Sequence, residues 1–207
     1  MPYLIGSSVR KSHIGALLGA VLLASFALPA VAQAACPTTP TTQAFKRFGD
    51  TAAYSLVPNG HFESGTSGWS LNKAAVVSGN ESFKVRSAND SKSLAIQPTG
   101  TVVSPPICVG VEHPSFRFFA RRTSGTWGVL NVKLRWTGSN GQTNETVVGS
   151  LSGDPYKSWL ASPSLPLATT LPLWQAGQSL SVRLVFDPED FGGAWTMDDI
   201  YVDPYRR

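Results

Sequence analysis

Apolar and polar side chains alternate with a period of two along much of the chain. In Ser115–Arg122, Phe116, Phe118 and Ala120 fall on one side, and Arg117, Phe119 and Arg121 on the other. In Val129–Trp136, Leu130, Val132, Leu134 and Trp136 oppose Asn131, Lys133 and Arg135; in Ser179–Phe186, Leu180, Val182, Leu184 and Phe186 oppose Ser181 and Arg183. Such alternation marks a half-buried antiparallel strand. Runs of Val, Ile, Phe and Tyr between clusters of Gly, Pro, Asn and Ser predict further strands near Tyr54–Val57, Ala74–Val77, Ser82–Arg86, Ser93–Gln97, Thr143–Leu151 and Thr196–Val202. No segment holds a 3.6-residue apolar period long enough for a helix. About nine or ten strands at this spacing predict an all-β fold, a two-sheet antiparallel β-sandwich of jelly-roll type.

The N-terminus departs from this pattern. Arg10 and Lys11 precede an apolar run from Ile14 to Val31, which ends in Val31-Ala32-Gln33-Ala34-Ala35. A basic start, an apolar middle and an A-x-A exit are the parts of a secretory signal peptide. Gln33 stands where a lipobox wants an apolar residue, so a lipid on Cys36 is not expected. The chain therefore divides into a cleaved signal over 1–35, a Thr- and Pro-rich extended arm over 36–52 and a sandwich domain over 53–207. No second apolar stretch is long enough to span a bilayer.

Charge and cysteine change this picture in two ways. The formal net charge is +4, and Arg10 and Lys11 leave with the signal. The remainder is too mild to argue for nucleic acid. Cys36 and Cys108, the two cysteines of the chain, read either as a disulfide or as two buried thiols; the export signal favours the disulfide. Neither has metal-site spacing.

Two segments carry a family resemblance. Near the start stands Leu56-Val57-Pro58-Asn59-Gly60-His61-Phe62-Glu63, followed by Gly68-Trp69; at the end stands Trp195-Thr196-Met197-Asp198-Asp199-Ile200-Tyr201-Val202-Asp203. The pairing resembles the galactose-binding-like jelly rolls, in particular the calcium-containing carbohydrate-binding modules of xylanases and glucanases. The resemblance runs from Tyr54 to the C-terminus and is sharpest at its two ends. It implies that the first and last strands lie side by side with a structural calcium at their seam. Carried over, the Glu63 and Asp198 carboxylates and the His61 carbonyl would be ligands. The loop Asn89-Asp90-Ser91-Lys92 would complete the site through an Asn89 or Asp90 side chain and the Lys92 carbonyl. Calcium takes six to eight such oxygens. The alternative is that Glu63 and Asp198 hydrogen-bond backbone amides and loop side chains.

Candidate ligand residues come from the alternation itself. The polar sides of the strands carry Arg117, Arg121, Lys133, Arg135 and Arg183, with Asn131 and Phe119 among them. Guanidinium groups suit carboxylate, sulfate and sugar hydroxyls. A charged sheet face also serves solubility and blocks edge pairing. Trp127 in a loop and Tyr156 are candidate sugar platforms, whereas Trp69, Trp136 and Trp195 read as core. An enzyme would need converging acids, and Asp187, Glu189 and Asp190 cluster in one loop as a solvated turn does. His61 and His113 lie in no recognisable triad or H-E-x-x-H. The sequence thus predicts a secreted, monomeric, non-catalytic domain that binds a polysaccharide, acidic by preference. The alternative is a structural or protein-interaction module of the cell envelope, adhesin-like and without a sugar ligand.

Overall fold

The computed structural model describes residues 1–3, 36–173, 176–189 and 193–203. The unit Met1–Ala32 falls, but for its first three residues, outside that range, and with it the export-signal expectation. Trp174 and Asp190 also lie outside it.

Among the described residues eleven strands form the body: β1 (Ser55–Leu56), β2 (Ser70–Ser78), β3 (Lys92–Val103), β4 (Ile107–Gly110), β5 (Ser115–Arg122), β6 (Val129–Thr137), β7 (Thr143–Ser152), β8 (Leu160–Ala161), β9 (Leu165–Pro166), β10 (Ser179–Pro188) and β11 (Trp195–Val202). All pairs are antiparallel. They make a two-layer sandwich from one continuous, curled ladder. The first layer runs β7-β6-β10, then β4 and the end of β3. The second runs from the start of β3 through β11 to β5, with β1 beside β11 and β8 and β9 beside β5. The β2–β3 hairpin crosses from one layer to the other. It bends where Lys73 and Thr99 take positive φ, and the register with β2 shifts between Asn72 and Ala74. Gly100 sits in this bend, where a Cβ would lie 2.8 Å from the Gln97 carbonyl oxygen.

The inward positions of β5, β6 and β10 meet between the layers. Phe116, Phe118, Ala120, Leu130, Val132, Leu134, Val182, Leu184 and Phe186 are buried there with Leu94, Ile96, Trp195 and Met197. Burying a large apolar side chain contributes about 1.5–3 kcal/mol, so this interior is the main source of stability.

Ser82–Arg86 is not a strand, although Phe83 and Val85 alternate. The Glu81 carboxylate accepts the amides of both Phe83 and Val85 and winds the backbone into a turn. Local side-chain acceptors of this kind compete with ladder formation.

A second buried cluster covers the outer face of the second layer. Phe119 is fully buried against Phe45, with ring centroids 5.3 Å apart, and Phe45 also meets Tyr54 at 4.9 Å and Tyr201 at 5.8 Å. Phe83 closes the rim, 4.9 Å from Phe48 and 5.6 Å from Phe119. Residues 36–52 therefore lie folded against the sheet, fixed by the Thr42–Tyr54 bridge and a 3-10 turn at Lys46–Phe48. Arg117 pins this segment. Its guanidinium lies 4.5 Å over the Phe45 ring and bonds Asp50 Oδ2 at 2.8 Å and the Ser162 carbonyl. Burial would raise the Asp50 carboxyl, but hydrogen bonds from Tyr54 and Arg117 hold it below its usual value. Asp50→Ala strands a largely buried guanidinium and a phenol, and an expected loss of about 2 kcal/mol follows. Urea unfolding reads it directly, and Asp50→Asn should recover part of the loss.

Candidate functional site

With the outer face of the second layer closed, the open sheet face belongs to the first. A groove of about 710 Å³ crosses it near the ends of β6 and β10, lined by Ser70, Arg135, Trp136, Thr137, Ser181 and Arg183 among others. Arg183 stands directly opposite Arg135 in the ladder. Like charges facing each other across strands repel, so this pair costs stability unless something screens it. Among the described residues, one carboxylate screens the pair, and it does so from the Arg135 side. Arg135 Nε donates to Glu145 Oε2 at 2.7 Å, and Arg183 Nη1 donates to the Ser104 carbonyl at 2.7 Å. A guanidinium has five N–H groups, so among the described residues each side chain has donors beyond the one named here.

The neighbouring positions are neutralised. Lys133 Nζ donates to Asp187 Oδ2 at 2.6 Å and sits 3.5 Å from Glu145. The Asp187 bond raises the Lys133 amine above its usual value despite partial burial. Asn131 Nδ2 donates to Glu189 Oε1 at 3.1 Å. A smaller cavity of about 290 Å³ beside Cys108 is lined by Pro37, Pro58, Pro106, Ile107 and His113 among others.

The five cations do not share one face. Arg117 and Arg121 project from β5 in the second layer, and Lys133, Arg135 and Arg183 project from β6 and β10 in the first. Arg117 is committed to Asp50 and Ser162, and Arg121 lies 5.1 Å over the Trp159 ring. Two of the aromatic platforms are also placed inside. Phe119 is sealed under the arm. Tyr156 packs on Trp195 with centroids 5.6 Å apart and is 7% exposed. Trp127 is 83% exposed, on the loop between β5 and β6. Trp69 and Trp195 are core, but Trp136 is half-buried and also lines the groove. Sequence reading missed Ser70, Thr137 and Ser181, since small polar residues at strand ends carry no signal until the strands are aligned.

No family model matches the chain, and no curated protein matches it. Solved structures do. The tandem CBM22-1–CBM22-2 domain of Paenibacillus barcinonensis Xyn10C superposes with TM-score 0.53 at 15% identity, over 82% of this chain and 48% of that one. The chain has the jelly-roll fold of those modules. The CBM22-1 xylan-binding domain of the same protein gives TM-score 0.49 at 16% identity, over 69% of this chain and 90% of that one. The CBM22-1–GH10 modules of Clostridium thermocellum xylanase 10B, complexed with xylohexaose, give 0.48 at 10% identity, over 69% of this chain. This chain spans only 27% of that xylanase structure.

Within the jelly roll, the segments nominated for calcium adjoin as the resemblance implies. Val57 N donates to the Ile200 carbonyl at 2.9 Å, and Ile200 N to the Gly60 carbonyl at 3.2 Å. The nominated carboxylates, however, face amides. Glu63 Oε1 accepts the Ser91 and Lys92 N–H groups, each at 2.8 Å. Asp198 Oδ1 accepts from Asp199 N at 2.8 Å, and Oδ2 from Glu81 N at 3.0 Å. The His61 ring accepts the Glu63 N–H through Nδ1 at 3.1 Å, and the Asn89 N–H donates to the Ser87 hydroxyl at 3.2 Å. These bonds are the ones the hydrogen-bonding alternative expects, and beside them Asp199 Oδ1 is buried with no hydrogen-bond partner among the described residues. Among the described residues, three metal-type side chains converge at Cys36, Glu112 and His113, and Cys36 is joined to Cys108 by a disulfide. No helix among them is long and apolar enough to cross a membrane.

Proposed function

We propose that this is an exported, non-catalytic, monomeric domain that holds an acidic polysaccharide in the groove of the first layer. The observation that carries the reading is the Arg135–Arg183 pair, two cations opposed in register on the floor of an open groove. Such a pair is stabilised when a carboxylate or sulfate lies between its members. The half-buried Trp136 and the hydroxyls of Ser70, Thr137 and Ser181 offer the mixed apolar and polar lining that a sugar ring needs. The jelly-roll fold supports a binding role without deciding it. The disulfide supports export, since such bonds persist in oxidising compartments. Of the three acids in the 187–190 loop, Asp187 pairs with Lys133 and Glu189 receives Asn131.

Isothermal titration with a uronic-acid-bearing xylan and with its neutral counterpart tests this. Binding should favour the acidic polymer and weaken with salt. Arg183→Ala should lower affinity about ten- to a hundredfold, the scale of a lost charged hydrogen bond. Trp136→Ala should weaken binding to both polymers, whereas Lys133→Ala, whose cation is already paired, should change little. Saturable binding of a protein that neither polymer competes away would instead select the interaction-module reading.

A further inference from the structure

The 36–52 segment that closes the second layer brings a surface of its own. A 3-10 turn takes three residues, so at Lys46–Phe48 the rings of Phe45 and Phe48 share the face that meets Phe119. Lys46 and Arg47, between them in sequence, are left exposed. Beside them, the turn wound by Glu81 packs Phe83 and Val85 on the same aromatic cluster and leaves Lys84, at φ of 50°, exposed. A cleft of about 420 Å³ lies between the two turns, lined by Thr42, Gln43, Lys46, Arg47, Phe83 and Lys84 among others.

The lining carries three cations and no acid. Among the described residues, none of the three stands within ion-pair distance of a carboxylate. Lys84 Nζ donates to the carbonyls of Ala88 at 2.8 Å and Asp90 at 3.4 Å, which supply no countercharge. The Asp90 carboxylate is taken by Arg86, whose Nε donates to Oδ2 at 2.7 Å. Arg47 does act on Glu81, lowering a carboxyl that burial raises more, so one buried acid stands against three cations. Arg47 is the prepared member of the three. Its guanidinium lies 5.0 Å over the Phe83 ring and 5.8 Å from that of Phe48, and Nη1 donates to the Phe83 carbonyl at 3.2 Å. Held in this way it loses little freedom when its other N–H groups meet a ligand, and its planar fork suits a carboxylate. Thr42 and Gln43 add a hydroxyl and an amide, and Phe83 and Val85 an apolar wall, the lining a sugar ring needs beside its acid group.

We propose that this cleft is a second site for the uronate groups of a polysaccharide, and that the domain thereby joins two chains. The cleft and the groove lie on the outer sides of different layers, so a ligand in one leaves the other open. The class of partner rests on the function proposed above; the cleft does not, being built from other residues. Lys46 and Arg47 also precede Tyr54, where the family resemblance begins, so the site is not one that the resemblance implies.

Amide NMR titration of the full oxidised chain with a uronic-acid-bearing xylo-oligosaccharide, too short to reach both layers, tests it. The amides of Lys46, Arg47, Phe83 and Lys84 should shift saturably, separately from those of Arg135 and Arg183, and the neutral oligosaccharide should leave them in place. Lys46→Ala combined with Lys84→Ala should weaken the cleft about tenfold, a few-fold for each exposed ion pair lost, and leave the groove shifts unchanged. That double variant keeps the contact of Arg47 with Phe83, so the segment stays folded. With the long acidic polymer, wild type should raise light scattering, and either Arg183→Ala or the double variant should reduce the rise several-fold. Shifts confined to the groove, or a double variant whose cleft binds like wild type, would overturn the second site. Shifts confined to the cleft would uphold it but overturn the groove and with it the joining of chains. Both sites shifting without a rise in scattering would overturn the joining of chains alone.

Discussion

Reduction of the Cys36–Cys108 bridge is expected to lower the melting temperature by about 8–16 °C. The two cysteines are 72 residues apart in sequence. In the chain-entropy account, a cross-link closing a loop of that size removes freedom from the unfolded chain worth about 4 kcal/mol. For a domain of this size each kcal/mol moves the midpoint by about 2–4 °C. The bridge also has a local task. It fixes the start of the 36–52 segment to β4, and that segment carries Phe45 and Phe48 onto Phe119. Without it the aromatic cluster must hold the segment alone. A double variant with Cys36→Ser and Cys108→Ser, melted beside the oxidised wild type, gives the number. Dye binding to exposed apolar surface should rise well below the main transition as the segment frays. A shift under about 2 °C would show that the aromatic cluster, together with Arg117 and Asp50, suffices to hold the segment, contrary to the entropy estimate.

The sandwich was legible in the sequence because its strongest strands bury one face each. Phe116, Phe118, Leu130, Val132, Leu184 and Phe186 repeat every second residue and all reach the central core. Alternation says which side of a strand is inward; it does not say which layer the strand belongs to. That is why Arg117 and Arg121 read as neighbours of Lys133, Arg135 and Arg183. Pairing separates them, β5 going with β11 and β6 with β10 and β7. Phe119 illustrates a second limit. It points out of the main core, as its position in β5 predicts, but a distant stretch of chain covers it. The signal available was the apolar content of that stretch, since Phe45 and Phe48 are three residues apart in an arm that would otherwise be solvated. The end motifs were legible as neighbours, and the bonds between Gly60 and Ile200 realise that adjacency. What the motifs did not reveal was which amides their carboxylates face, because that depends on turns several residues away.

Raising the pH from about 5 to about 9 is expected to destabilise the protein. Burial first, and the neighbouring Asp199 second, push the Asp198 carboxyl up to about 9. Burial first, and then Glu81 and Asp90, push Asp199 up to about 7. In the unfolded chain both carboxyls titrate near 3.9. Between those limits the folded chain holds more protons than the unfolded one, so stability is greatest on the acid side and falls as pH rises through the folded values. Each unit is worth about 1.4 kcal/mol, and two coupled groups in one neighbourhood make the total on the order of 5 kcal/mol. The lowered Asp50 and Glu63 carboxyls act oppositely, but their contribution is lost only near and below about pH 4. The optimum therefore lies between about pH 4 and 6. Asp199→Asn isolates the effect. The amide oxygen can still accept from Arg86, and a neutral NH₂ replaces Oδ1, which is buried without a hydrogen-bond partner among the described residues. Relative to wild type, the variant should be similar or weaker at pH 5 and more stable by about 2–4 kcal/mol at pH 9, with a flatter slope between. Urea unfolding across that range measures both curves. A wild-type profile that is level or rising from pH 6 to 9, and parallel to that of Asp199→Asn, would mean that these carboxylates are ionised and compensated in the folded chain throughout.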